Sequence, residues 1–173
     1  MSDADARATA RTFGGTRTRR NFAARGEGYV SFVDDPVVFA EAALSVVERE
    51  EPIPESAAGW ARVRTECVGR EERDGTTVRT WTLEPREVGV VRESVPTTNR
   101  GYGAVVEGTV AASRLGVSGF DESRLRARLT FFHGVCERCG GPRERAAFAV
   151  VAAAVRERVD DPPGWTRVAD EWG

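Results

Sequence analysis

The sequence predicts an α+β fold in which a β-rich first half precedes an all-helical second half. Three observations carry this. Apolar residues recur with period two in several stretches before residue 95, and at helical spacing after it. Asp74-Gly75, between two alternating stretches, is a hairpin signal. Composition shifts at Pro96, and every segment beyond reads as helix. The expected divisions are residues 1–95, a helical domain at 96–160, and an irregular tail at 161–173.

Taken in order, Ala8, Ala10 and Thr12 alternate with Thr9, Arg11 and Phe13 as in a strand, and Gly14-Gly15 stops it. Thr16 or Thr18 can cap a helix running to Ala24, with Gly26 just past its end. Residues 28–33 read as a second strand. Asp35 at the N-cap and Pro36 at the first helical position open a helix through Val47. That helix is apolar on most sides and is expected to be well buried. The stretch from Glu48 to Ser56, with Pro52 and Pro54, reads as a charged loop. From Trp60, Val63, Thr65 and Cys67 oppose Arg62, Arg64 and Glu66 in a strand, with Cys67 expected as a small buried residue. Thr77, Arg79, Trp81 and Leu83 share one face of the return strand, and residues 88–91 read as a further short strand.

In the second half, Thr98 or Asn99 caps a helix through Leu115. Gly101, Gly103, Ala104, Gly108, Ala111 and Ala112 keep it thin, so another backbone can approach closely. Asp121 caps the next helix, whose apolar stripe is Leu125, Leu129, Phe132 and Cys136. Gly140-Gly141 ends it. Pro142 opens a third, with Ala147, Val151, Ala154 and Val155 on its buried face.

A chain of 173 residues buries roughly 70% of its extended surface and needs no covalent staples. A net charge of −2 defines no partner. All 25 basic residues are arginine, and residues 7 to 25 hold six of them with no acid. Three cysteines imply no disulfide framework. With no signal peptide and no apolar run long enough to span a bilayer, the expectation is a cytoplasmic protein with no membrane partner.

The stretch most suggestive of chemistry is the turn after the first strand. Arg17, Arg19 and Arg20 crowd the start of a helix, where the partial positive charge repels cations. Backbone N–H groups, threonine hydroxyls and guanidinium forks together suit a phosphate. A solvated basic turn is the alternative. His133-x-x-Cys136-x-x-Cys139 lacks a fourth zinc ligand, and its plainer reading is two small apolar residues and an exposed histidine. No metal is expected. Only one histidine is present and no serine lies in an elbow motif, so no catalytic triad is visible.

Four stretches in order resemble an archaeal family built on a domain of unknown function (family 447), within the FMN-binding split-barrel superfamily. They are residues 10–22 (ARTFGGTRTRRNF), 34–44 (DDPVVFAEAAL), 99–107 (NRGYGAVVE) and 138–145 (RCGGPRER). The resemblance implies a split β-barrel followed by the helical segment. It also implies FMN as cofactor and pairing with a second copy as a homodimer. In that family a strand pair, one Glu-Ser-Val-Val-Thr-Thr-like and one Asn-Val-Ala-like, precedes the first stretch. This chain begins at the end of that hairpin, so the barrel is expected to be incomplete. Residues 9–21 are also similar to the phosphate-gripping segment of pyridoxamine phosphate oxidases, where a strand enters a Ser-Arg-Lys turn that opens a helix. That likeness assigns flavin-phosphate binding to Thr16, Arg17, Thr18, Arg19 and Asn21.

The resulting expectation is an FMN-binding flavoprotein and, more narrowly, a flavin-dependent oxidoreductase whose substrate is not legible. One alternative is a nucleic-acid-binding module using the arginines of residues 7–25, disfavoured by the acidic balance elsewhere and the lack of an aromatic stacking row. Another is a structural or interaction protein without ligand.

Overall fold

The computed structural model describes residues 7–45, 51–73, 75–93, 95 and 97–172. Val46, Val47, Glu48, Asp74 and Pro96, used in the expectations above, lie outside these. The chain forms two compact units: Met1–Phe32 with Glu51–Glu93, and Val33–Glu50 with Ser94–Gly173. No helix among the described residues is long and apolar enough to cross a membrane.

The first unit is an open four-stranded sheet in the order β1-β4-β3-β2, built from β1 (Ala8–Phe13), β2 (Glu27–Val33), β3 (Ala57–Arg73) and β4 (Thr76–Val90). Between β1 and β2 comes helix α1 (Arg17–Arg25). β4 runs antiparallel to both β1 and β3. The α+β expectation and the open sheet agree with the sequence reading. Residues 88–91 do not form a separate strand. Val88 and Val90 belong to the 15-residue β4, whose register slips between Arg62 and Val63, opposite Pro85. A bulge accommodates the proline, which cannot donate to the ladder, so the strand continues through it.

Direct opposition places Ala8, Ala10, Thr12, Gly59, Ala61, Val63, Thr65, Trp81 and Leu83 on one face. Ala61, Val63, Trp81 and Leu83 form its core, with Ala10, Phe22 and Val30 packed against them. Cys67, expected inside, is exposed. A second register slip between Cys67 and Gly69 re-aims the strand there, and the Cys67 thiol lies 3.5 Å from the Gly69 carbonyl. The opposite face is charged: Arg62 pairs with Glu27 at 3.5 Å and with Glu87 at 3.2 Å. There the Trp60 indole lies across Gly89, where no Cβ would fit.

The second unit is helical: α2 (Pro36–Leu44), α3 (Arg100–Ala112), α4 (Glu122–Cys139), α5 (Pro142–Arg158) and α6 (Trp165–Val168), then a 3-10 turn over Ala169–Trp172. α2 packs here rather than with the strands, although the sequence reading grouped residues 1–95 together. Asp35 explains the attachment. Its Oδ1 accepts from the Val37 N–H at 2.9 Å, capping α2, while its other oxygen pairs with Arg143 of α5 at 3.3 Å. Arg158 adds a bond to the Leu44 carbonyl at 3.2 Å. Within α2, Pro36 and Ala40 are buried while Ala42 and Ala43 are exposed, so the helix is less enclosed than its composition predicts. Tyr102 donates to the Val33 carbonyl at 3.1 Å, and burial beside Asp34 and Asp35 pushes its phenol pKa up.

Asn99 caps α3 and Asp121 caps α4, each accepting from a first-turn N–H at 3.0 and 3.1 Å. α3 ends at Ala112, three residues short of the expected Leu115. The close approach foreseen for α3 occurs at two glycines. A Cβ on Gly101 would meet the Gly140 Cα at 2.6 Å, and one on Gly108 would meet the Phe148 ring at 2.9 Å. The core holds Val105, Leu129, Cys136, Phe148, Val151 and Val155.

The tail is not irregular. Trp165 and Trp172 stack on His133 at centroid separations of 5.0 and 4.9 Å, and Phe148 meets the imidazole edge-on at 5.8 Å. His133 is therefore buried, against the expectation of an exposed ring. Large aromatic area drives this closure. Burial lowers the His133 pKa from its usual 6.5, opposed by Glu137.

Two outcomes follow. Gly101→Ala should destabilise the protein by about 1–3 kcal/mol, because the clash is with backbone. Gly103→Ala, which meets nothing within 4 Å, should stabilise by about 0.5–1 kcal/mol. Urea midpoints of the two variants distinguish this from a uniform glycine effect. For His133, the folded state favours the neutral ring, so the unfolded chain takes up a proton first on acidification. Stability is full above about pH 6.5 and declines as pH falls through that value towards the lower folded-state pKa. His133→Gln should flatten the change in urea midpoint between about pH 7.5 and 5.5. An unchanged slope would assign it to other groups.

Candidate functional site

The head of α1 is fixed by local chemistry. Gly14 adopts φ +59, which reverses the chain after β1, and its N–H donates to the Thr77 carbonyl at 2.8 Å. Thr16 is the N-cap, its hydroxyl accepting from the Arg19 N–H at 3.4 Å. Gly26 closes the helix in the left-handed conformation, with its N–H on the Phe22 carbonyl. Phe22 anchors the helix to the sheet, its ring edge-on to Trp81 at 5.4 Å. Trp81 in turn donates its indole N–H to Thr12 Oγ1 at 2.9 Å.

These contacts bring the Gly14–Gly15 turn beside the β3–β4 hairpin. Between them lies an open cleft of about 390 Å³. Gly14, Gly15 and Arg19 line one side; Gly75, Thr76, Thr77 and Arg79 line the other. Among the described residues, no carboxylate lines it. Gly75 takes φ +74 at the hairpin tip. The Arg19 Nε is shielded from water and has no hydrogen-bond partner, an unfavourable state for a guanidinium N–H. Thr77 Oγ1 donates to Glu72 Oε1 at 2.6 Å just outside the cleft.

Of the five residues assigned by sequence, Arg19 lines this cleft. Thr16 adjoins it as the helix cap, while Arg17, Thr18 and Asn21 are exposed on α1. Arg20 turns back, donating to the Gly15 carbonyl at 2.6 Å. That bond relieves part of the charge conflict at the helix start. Thr76, Thr77 and Arg79 were missed. The Asp74-Gly75 hairpin signal locates their turn, but nothing in the sequence says that it faces Gly14–Gly15.

A second, smaller depression of about 290 Å³ on the charged face of the sheet is lined by Arg7, Arg64, Glu66, Val68, Thr82 and Glu84. Its acids and bases are mixed, which suits an anion less well. In the helical unit, Cys136 is buried with its thiol 3.3 Å from the Glu144 carbonyl, and burial pushes its pKa up to about 12. A thiol so hard to ionise is a poor ligand or nucleophile. Cys139 is exposed. Among the described residues, no three His, Cys, Asp or Glu side chains gather as a metal site.

Comparison with known proteins places the chain. No curated protein matches it. A crystal structure of the FMN-bound protein MM1853 from Methanosarcina mazei, a DUF447 protein, has a similar fold. The match covers 87% of this chain and 82% of that one, with a TM-score of 0.72 and 24% sequence identity. The N-terminal domain of a protein of unknown function, DUF447, matches residues 3–92, and the DUF447 C-terminal model matches residues 99–152. With both parts present in order over most of its length, the chain belongs to the DUF447 family.

Proposed function

We propose that this protein binds FMN, holding the phosphate at the head of α1. The observation that carries the reading is the cleft: a partnerless, water-shielded Arg19 Nε and a second arginine, with no acid among the described residues of the lining. Such an arrangement suits a dianion. The FMN-bound state of the Methanosarcina mazei protein supports flavin as the ligand class. In this reading Thr16 fixes the helix start, Arg17 and Arg19 supply guanidinium donors, and Thr18 and Asn21 supply polar contacts along the exposed helix.

FMN, when bound, supplies electron-transfer chemistry, and the protein's part is orientation and electrostatics. The corresponding activity is that of a flavin-dependent oxidoreductase. A homodimer is part of the proposal. Phe32, Val88 and Val90 are 59%, 69% and 78% exposed, and Val88 and Val90 stand opposite Ala61 and Gly59 on the apolar face of the sheet. A second copy would cover them, a common way to remove an exposed apolar patch.

Purified protein loaded with FMN should absorb in the blue. Arg17→Ala should weaken FMN roughly ten- to a hundredfold, for loss of one charge-assisted bond, while leaving riboflavin unaffected. Thr16→Val should act in the same direction and more weakly. Equal affinity for FMN and riboflavin in the wild type, unchanged by Arg17→Ala, would remove the phosphate site. For assembly, light scattering at micromolar concentration should give the mass of two chains, and a folded monomer would refute the dimer.

A further inference from the structure

Arg79 has no role in the sequence-based site, yet its position is as constrained as that of Arg19. It lies on β4 opposite Thr12, two residues before Trp81, and so on the sheet face that carries Trp81 and Phe22. Arg19 precedes Phe22 by three positions, so both side chains leave α1 on one side. Packing Phe22 onto Trp81 sets that side of α1 against the sheet face that carries Arg79, and Arg19 and Arg79 line the same cleft. Each side chain is partly buried.

Two like charges lining one cleft repel, and the repulsion is stronger where water is partly excluded. No carboxylate among the described residues of the lining balances either, and the Arg19 Nε lacks any acceptor. Gly14, Gly15 and Gly75 leave the cleft free of side-chain bulk at the two turns. An anion with several acceptor oxygens would relieve the repulsion and satisfy the buried donor together.

We propose that Arg79 and Arg19 form a two-guanidinium clamp for a phosphate monoester, with Arg79 a further binding residue of this protein. The identity of that monoester as FMN rests on the function proposed above; the clamp itself rests on the cleft. The ligand class is a terminal, doubly charged phosphate, since two forks match three free oxygens better than the single charge of a diester.

The test uses the full chain, with flavin fluorescence titrations of wild type, Arg79→Gln and Arg79→Lys against FMN and riboflavin. Arg79→Gln should weaken FMN roughly ten- to a hundredfold and leave riboflavin unchanged. Arg79→Lys, which keeps the charge and the stem but not the fork, should fall between. If wild type prefers FMN to riboflavin and Arg79→Gln retains that preference in full, the clamp is wrong while the FMN reading stands. If wild type binds neither flavin, the FMN reading fails and inorganic phosphate decides the clamp. Saturable shifts of the Arg19 and Arg79 Nε–H resonances on adding phosphate, abolished for Arg19 in Arg79→Gln, would sustain it. Absence of those shifts in the wild type would overturn it.

Discussion

The architecture of the strand-bearing unit depends on the indole of Trp81. It is 3% exposed, and it joins three elements that are far apart in the chain. Its N–H bonds to Thr12 on β1, its ring receives Phe22 of α1, and its strand pairs with both β1 and β3. Truncating such a residue costs about 3–5 kcal/mol in a typical core, so the contact is comparable to a large share of a small unit's stability. Ala10 and Ala61, small residues on the same face, leave space for it. The hydroxyl of Thr12 satisfies the one polar atom the ring buries, so the tryptophan serves the core without leaving an orphaned donor.

From that packing follows the position of everything in the cleft. α1 buries no residue fully, and Phe22 is its apolar anchor. Its remaining surface is polar and basic, and by itself a helix with arginines at its head is disfavoured by about 0.3–1 kcal/mol per charge. Part of the conflict is resolved locally, by the Thr16 cap and the bond from Arg20 to Gly15. The part that is not resolved is concentrated at Arg19, in the cleft that Arg79 also lines. Unrelieved local conflict in an otherwise consistent structure is where binding sites are expected.

The helical unit has its own logic. Its core is closed by glycines that permit near contact at Gly101 and Gly108, and by the aromatic cage over His133. Asp35 ties α2 to α5 by serving as cap and ion-pair partner together; its own carboxylate is largely buried, while the Arg143 end of the pair is exposed and screened by water. Cys136, held neutral by its surroundings, is a packing residue of this core.

Local signals alone determined much of this protein. Period-two alternation located β1 and the β3–β4 hairpin; Asp35 and Asp121 marked helix starts, and the starts of α1 and α3 were narrowed to Thr16 or Thr18 and to Thr98 or Asn99, of which Thr16 and Asn99 are the caps; and Gly26 marked a helix end. These features depend on backbone groups a few residues away, so sequence order suffices to read them. Arg19 was legible in the same way, because its conflict is with its own helix. Tertiary structure decided the rest. Cys67 left the core through a register slip, α2 joined the helices through Arg143, and Trp165 and Trp172 closed over His133. Arg79 lines the same cleft as Arg19, 60 residues away in the chain, where Phe22 and Trp81 pack α1 on the sheet. Such pairings are set by long-range burial of apolar area, and the periodicity of a segment says which face is apolar but not which partner will cover it.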